Sequence, residues 1–207
     1  MQMFIKKVIV PLSIYVVLSV IFLLLIPSSS LNENIPFVDL YLFAILMMVY
    51  SYIIINERFS YFELHRFGKL NKYLIHKFKK FSLYNLFIQV VITLTYICVF
   101  IIMKVKIDFS VILNYAINLF VIFEIIYIFC LSNLFSKKTS KINYVLLFIF
   151  YFMFLLYVIN GANGVLSFNI FSSYFKNRDI FTTIFNYLLW MFIAIIFLYN
   201  KKDKVEI

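Results

Sequence analysis

Residues 111–135 read VILNYAINLFVIFEIIYIFCLSNLF, and Glu124 is the only charged side chain among them. A helix needs about 20 mostly apolar residues to cross the roughly 30 Å hydrocarbon core of a bilayer. This run is long enough, and its polar residues do not interrupt it, because a helix satisfies its own backbone polar groups. The stretch predicts a transmembrane helix, so the solvent for much of the chain is lipid.

Five more apolar runs surround this one, at 8–26, 37–55, 83–103, 144–159 and 180–199. Hydrophobic residues make up 65% of the chain, whereas about half is usual for soluble domains. No small-residue cleavage site follows the first run, so we expect it to be retained as a helix. The sequence predicts an all-α, polytopic membrane protein with a single domain, 1–207, and six transmembrane helices.

The basic residues predict the orientation of these helices, because cytoplasmic loops carry an excess of lysine and arginine. With the N-terminus inside, fifteen of the nineteen Lys and Arg residues fall in cytoplasmic segments. The four outside are Lys104, Lys106, Lys176 and Arg178. Both termini are therefore predicted to be cytoplasmic. The net charge of +10 is explained by this bias and by attraction to anionic lipids, which leaves no nucleic-acid partner to invoke.

The segment 56–82 is predicted to be a cytoplasmic connection with two amphipathic parts. In the second part the apolar residues Leu70, Tyr73, Leu74, Phe78 and Phe81 recur three or four residues apart, as on one helix face. The lysines there, at 69, 72, 77 and 80, are expected to point elsewhere. Gly68 precedes this part at a natural helix end. We expect a short helix, a break, and a helix that continues into the third span. The segment either lies on the membrane surface or docks a cytoplasmic partner.

The outside segment 161–179 reads GANGVLSFNIFSSYFKNRD, which is apolar and aromatic in its middle but too short to span. It predicts either a re-entrant hairpin packed against the bundle or an interfacial aromatic belt.

Ionisable groups inside a membrane are costly and are candidates for function, and Glu124 is the clear case. We interpret it as a polar anchor for a neighbouring helix, with Asn118, Asn114, Gln89 or Thr93 as partner. A cation or proton site is the alternative. Cys98 and Cys130 lack metal-ligand spacing, and both histidines lie in the segment 56–82. No catalytic residue, metal site or glycine-rich phosphate loop is expected, so the chain is not predicted to be an enzyme.

Residues 65–74 read HRFGKLNKYL. This stretch resembles the Arg-aromatic-Gly-basic-x-x-basic-aromatic-Leu motif of small bacterial ABC exporter permeases of the type-2 superfamily, where it also follows the second span. The family also has six spans, both ends inside, and re-entrant helices where 161–179 lies. The seven residues before the first span, MQMFIKK, are too few for the amphipathic helix that larger members carry there.

The resemblance implies that residues 57–68 form a coupling region seated in a groove of a separate ATPase subunit. That subunit would bind ATP and Mg²⁺, while this chain binds no cofactor. Arg66 and Glu63 would make polar contacts, and Phe62 and Phe67 would fill a pocket. The implied coupling residues are Glu57, Phe62, Glu63, Arg66, Phe67 and Gly68. The implied partners are the ATPase, a second copy or homologous permease, and membrane lipids.

The resemblance further implies export of a hydrophobic or amphipathic substrate, such as an antimicrobial peptide or bacteriocin, in a bacterial cell membrane. The composition, rich in Ile, Phe, Asn, Lys and Tyr, also indicates a bacterial source. One alternative is a stand-alone immunity or helper protein without an ATPase. Another is the substrate-binding subunit of a vitamin importer, although the first span, 8–26, lacks the small residues with which such subunits dock their coupling protein.

Overall fold

The structure is a computed structural model, and it describes residues 2–25, 31–55, 60–106, 108–134, 139–160, 169–173 and 180–202. Within these ranges the chain forms seven α-helices and one 3-10 helix, with no β-strand. The helices are α1 (Gln2–Leu25), α2 (Leu31–Ile55), α3 (Tyr61–Phe67), α4 (Leu70–Ile102), α5 (Phe109–Leu131), α6 (Thr139–Asn160), the 3-10 helix (Ile170–Ser173) and α7 (Ile180–Lys202). The all-α prediction is confirmed.

Five of these helices are long and apolar enough to cross a membrane, namely α1, α4, α5, α6 and α7. In α2 the described apolar stretch is shorter, at Leu42–Ile54. Many side chains on the outside of the bundle are large and apolar, such as Phe148 in α6 and Phe192 in α7. Five spanning-length helices with apolar outer faces indicate a membrane protein.

The connection between α2 and α4 contains the predicted short helix, the break and the following long helix. α3 ends at Gly68, whose backbone is left-handed with φ 65°. α4 then runs for 33 residues without interruption, so the amphipathic part and the third apolar run belong to one helix. At 1.5 Å per residue such a helix is about 50 Å long, well beyond the roughly 30 Å of a hydrocarbon core.

α5 occupies the centre of the bundle, in contact with α2, α4, α6, α7 and the 3-10 helix. Every residue from 122 to 134 is buried. The apolar residues on all sides of α5 are compatible with this enclosed position. Stacked rings join it to its neighbours, with Tyr50 on Phe123 at 3.5 Å and Phe81 on Tyr127 at 3.9 Å between ring centroids.

The structure describes five residues of the predicted outside segment, Asn169 and the 3-10 helix. Ile170 and Phe171 are fully buried. Asn169 holds the turn in place. Its side-chain amide donates to Met153 O at 2.9 Å, and its backbone carbonyl accepts from the Asn186 side-chain amide at 3.1 Å. These residues are therefore wedged between α6 and α7. The rest of 161–179 lies outside the described residues, and the re-entrant hairpin stays a prediction.

Candidate functional site

α3 owes its two ends to local sequence. Ser60 is the N-cap, and its side chain accepts a hydrogen bond from the Glu63 backbone N–H at 3.3 Å. The order Ser60-Tyr-Phe-Glu63 is that of a capping box. At the other end, the Gly68 N–H donates to Leu64 O at 3.0 Å in the left-handed conformation that glycine adopts without cost. A seven-residue helix is marginal alone, so its contacts with α4 must hold it.

The face of α3 that meets α4 carries Glu63, Leu64 and Phe67. Leu64 is buried in a small cluster with Tyr73, Leu74 and Leu134, against which Phe67 also packs. The Phe67 ring centroid lies 4.6 Å from that of His76. The Ser60 N–H donates to the Tyr73 hydroxyl at 3.2 Å. Each of these contacts joins α3 to the beginning of α4, so the two helices form one unit.

An ion pair completes this attachment, with Lys77 Nζ 2.9 Å from Glu63 Oε2. The Lys77 side chain is 6% exposed and that of Glu63 is 43% exposed. Lys77 Nζ also lies 5.5 Å from the Tyr73 ring centroid, within cation–π range. The hydrogen bond from Lys77 lowers the pKa of the Glu63 carboxyl, despite an opposing contribution from burial. The expectation that Lys77 projects away from the apolar face is wrong, because Lys77 follows Tyr73 by four residues and Leu74 by three, which places it on that face.

The opposite face of α3, here called the α3 surface, consists of Tyr61, Phe62, His65 and Arg66, all of them exposed. Phe62 is 83% exposed and Tyr61 71% exposed. The predicted coupling residues are therefore divided between two faces. Phe62 and Arg66 point outward, Glu63 and Phe67 contact α4, and Gly68 ends the helix. Glu57 lies outside the described residues.

Glu124 belongs to a polar cluster of five side chains from three helices, here called the Glu124 cluster. Its members are Tyr50 of α2, Ser82, Asn85 and Gln89 of α4, and Glu124 of α5. Glu124 Oε1 accepts from the Asn85 amide at 2.9 Å, and Oε2 accepts from the Ser82 hydroxyl at 3.0 Å. The Tyr50 hydroxyl donates to Asn85 Oδ1 at 2.6 Å and accepts from the Gln89 amide at 3.1 Å.

Asn85 of α4 is the central member, because it bonds to residues of both other helices, α2 and α5. Its oxygen accepts from Tyr50, while its amide donates to Glu124 and also to Phe120 O at 2.9 Å. These bonds use both N–H groups and one of the two lone pairs of its side-chain oxygen. Gln89 differs, since its buried Oε1 has no hydrogen-bond partner among the described residues.

Ser82 allows the cluster to hold Glu124 in either protonation state. Its hydroxyl oxygen lies 3.0 Å from Glu124 Oε2 and 3.1 Å from Phe78 O. The hydroxyl has one proton, so it is shared between these acceptors when Glu124 is charged. When Glu124 is protonated, Ser82 can accept from it and donate to Phe78 O.

The structure corrects the expected partners of Glu124. Of the four candidates, Gln89 reaches it only through Tyr50 and Asn85, while Asn118 instead bonds to Asn114 at 3.3 Å and to the Tyr187 hydroxyl at 2.8 Å. Glu124 also lies toward one end of α5, seven residues before Leu131, which is about 10 Å along the axis. The polar residues Ser82, Asn85 and Gln89, three and four residues apart on α4, were the sequence signal that could have found the cluster.

The geometry of the Glu124 cluster suits a joint between helices. Across the described ranges, no basic side chain pairs with Glu124, and no group of three His, Cys, Asp or Glu side chains could hold a metal ion. A second, smaller joint is the contact between the Tyr15 and Tyr96 hydroxyls at 3.0 Å, which links α1 to α4. These hydrogen bonds between helices are those expected of a polar anchor.

Comparison of the chain with protein-family models, with curated proteins and with solved structures finds no match. What the protein does must therefore be inferred from its own residues and their geometry. Two features support such an inference. One is the α3 surface, and the other is the Glu124 cluster, which connects α4 to α2 and α5.

Proposed function

We propose that the chain is the membrane subunit of an ATP-driven exporter, powered by a separate ATPase that docks on the α3 surface. The observation that carries this proposal is the exposure of Phe62 and Tyr61 next to Arg66 on a helix whose other side packs on α4. Aromatic and arginine side chains are the residues that most often dominate binding energy at protein interfaces.

The attachment of α3 supports a role in transmitting force. Its inner face is held by the Glu63–Lys77 ion pair, the buried Leu64 and the bond from Ser60 to Tyr73. A push on α3 would therefore move the start of α4, and α4 continues for 33 residues into the bundle. There the Glu124 cluster ties it to α2 and α5. A docking partner on α3 would thus act on three helices through α4.

The proposed topology has six spans with both termini in the cytoplasm. The 25 residues of α2 would measure about 37 Å, enough to cross a bilayer. With α2 as the second span, α3 and the first turns of α4 fall on the side rich in lysine and arginine, which is the cytoplasmic side. ATP is available in the cytoplasm, so an ATPase subunit would dock on that side of the membrane.

The proposed substrate is a hydrophobic or amphipathic molecule, such as an antimicrobial peptide, in a bacterial cell membrane. The described outer faces of α6 and α7 are apolar and aromatic, with Phe148, Phe185 and Phe192 exposed. Such faces suit a molecule that moves laterally from lipid. The functional unit we propose contains two permease chains, identical or homologous.

The test is co-purification of the tagged chain, expressed with its genomic neighbours, from mild detergent. We expect an ATPase subunit to co-elute with the unaltered chain. The variant Phe62→Ala/Arg66→Ala, which changes only exposed residues of the α3 surface, should lose it. The matched control is Ile75→Ala/Lys72→Ala, which removes one exposed apolar and one exposed cationic residue from neighbouring α4.

Retention of the ATPase by the control and its loss from the α3 variant would identify α3 as the docking element. Equal loss from both variants would point to general surface charge instead. If no nucleotide-binding protein co-elutes with any form, the exporter proposal fails. A stand-alone immunity or helper protein, with α3 lying on the membrane surface, would then replace it.

A further inference from the structure

An apolar groove runs between α2 and α6 on the outside of the bundle. Its volume is ≈ 670 Å³, within the roughly 300–1,000 Å³ of small-molecule sites. The residues that line it are apolar or aromatic apart from one serine, and they include Met48, Ser51, Tyr144, Val145, Phe148 and Tyr151. Three hydroxyls are the only polar side-chain groups among them, and that of Ser51 already donates to Met48 O at 2.8 Å. The groove therefore fits a hydrocarbon chain rather than a polar ligand.

The two walls of the groove run antiparallel. Phe43, just before the α2 residues that line the groove, stacks on Phe154, just after the α6 residues that line it, with ring centroids 3.9 Å apart. Ser51 and Tyr144 therefore lie at the same end of the groove. That end is where α6 begins, so a ligand lying in the groove would place one terminus beside the first turn of α6.

Lys141 provides a positive charge at the end of the groove where α6 begins. Lys141 is exposed, and it precedes Tyr144 by three residues, Val145 by four and Phe148 by seven. Residues at these spacings share one face of a helix, so Lys141 lies on the face of α6 that lines the groove. It forms no ion pair with any residue that the structure describes. An apolar groove with a cation at one mouth matches a molecule with an acyl chain and an anionic head.

We infer that this groove binds an anionic phospholipid of the membrane leaflet on the Lys141 side, with an acyl chain between α2 and α6 and the headgroup, which has a net negative charge, at Lys141. The amphipathic ring of Tyr144, one turn from Lys141, is placed where the chain meets the headgroup. The inference does not rest on the proposed exporter function, because it requires only that α2 and α6 lie in a bilayer.

Fluorescence quenching by brominated lipids tests the site, since the chain has a single tryptophan, Trp190. The reporter is Phe148→Trp/Trp190→Phe in the full chain, reconstituted into phosphatidylcholine nanodiscs. A small fraction of acyl-brominated lipid is added, either phosphatidylglycerol or phosphatidylcholine. The matched control is Phe192→Trp/Trp190→Phe, because Phe192 is 64% exposed on α7 and Phe148 is 67% exposed on α6.

At the groove reporter we expect about fivefold stronger quenching by the anionic lipid, equivalent to about 1 kcal/mol for one lysine at an anionic surface. The control reporter should respond equally to both lipids. Adding Lys141→Gln should remove the preference, and Lys141→Arg should keep it. Should the Phe148 variant fail to fold, Tyr144→Trp/Trp190→Phe reports from the same groove.

Two results would overturn the inference. Equal quenching by both lipids at the groove reporter would mean that the groove takes no particular lipid. The other result is that neither lipid quenches the groove reporter while the α7 control is quenched normally. Protein, such as a second copy of the chain, would then cover the groove.

Discussion

Two glutamates are held against α4 in opposite ways. Glu63 is 43% exposed and is paired with the ammonium of Lys77. Glu124 is 5% exposed and is bonded only by the neutral side chains of Ser82 and Asn85 among the described residues. Burying a cation beside Glu124 would add a second desolvation penalty, which neutral donors avoid. The Glu63 side chain, by contrast, is partly exposed, so its pairing with the buried Lys77 ammonium requires less desolvation.

These two kinds of attachment divide α4 into two parts, and the boundary lies between Lys77 and Ser82. The part beyond Ser82 is joined to α2 and α5 by a polar cluster that water does not reach. The part before it holds α3 through one partly exposed ion pair and a small apolar cluster. We therefore expect the Glu124 cluster to act as a permanent joint and the α3 attachment as one that can open.

The largest effect is expected from Asn85→Leu, which keeps the side-chain size and removes all three hydrogen bonds of Asn85. At roughly 0.6 kcal/mol for each interhelical bond in a membrane, the free energy of unfolding should fall by about 2 kcal/mol. Unfolding titrations in mixed detergent micelles measure this difference. The joint should weaken while the α3 attachment remains.

The control for this prediction is Gln89→Leu in the same cluster. It removes one bond to Tyr50 but also a buried oxygen that has no partner, so we expect a loss of about 0.5 kcal/mol or less. If both variants lose the same stability, the cluster does not depend on Asn85, and the contrast with the α3 attachment would disappear.

Much of the fold could be predicted because apolar run length and local signals determine it. The long helices follow from uninterrupted apolar residues, and the break before α4 follows from Gly68, where only glycine adopts a φ of 65° easily. The continuity of α4 could also be inferred, since no glycine or proline occurs between residues 70 and 102.

The partners within the sites could not be predicted, because they depend on how the helices rotate against each other. Glu124 has polar residues within reach on several helices, and only packing selects Ser82 and Asn85 over Asn118. Lys77 is four residues after Tyr73 and three after Leu74, so spacing alone places it on the apolar face of α4. Its pairing with Glu63 of α3 could not be predicted. The spacing of residues within one helix does not show which residue of another helix they contact.

A smaller effect is expected from Gly68→Ala, which strains the turn between the two helices. No atom lies within 4 Å of an added Cβ, so the cost is that of a left-handed backbone alone, about 1 kcal/mol. Because α3 can detach without unfolding the bundle, its backbone amides should exchange hydrogen about fivefold faster.

Amides of α5 serve as the internal reference for that measurement and should be unchanged. Gly68→Asn should fall between alanine and glycine, since asparagine tolerates the left-handed region better. Faster exchange in α5 as well would show that α3 and the joint open together rather than separately.

The smallest effect concerns the ion pair and its dependence on pH. The pKa of Glu63 is lowered in the folded chain, so the stabilisation by the pair is present above the unfolded value of about 4.3. It is lost as the pH falls through the lowered folded pKa. Since Glu63 is partly exposed, we expect less than about 1 kcal/mol. Spin labels at Tyr61→Cys and Ile75→Cys, with Cys98→Ser, should therefore keep one distance at pH 5 and broaden only in stronger acid.

Glu63→Gln separates the ion pair from the apolar contacts of α3. It leaves the buried Lys77 ammonium without its counter-charge, so the distance between the labels should be broad even at pH 7. Glu63→Gln/Lys77→Met removes the cation as well and should restore a single distance that no longer changes with pH. If the single and double variants behave alike, the ion pair does not hold α3, and Leu64 and Phe67 alone do. The α3 attachment would then resemble the Glu124 cluster in not depending on a charge pair.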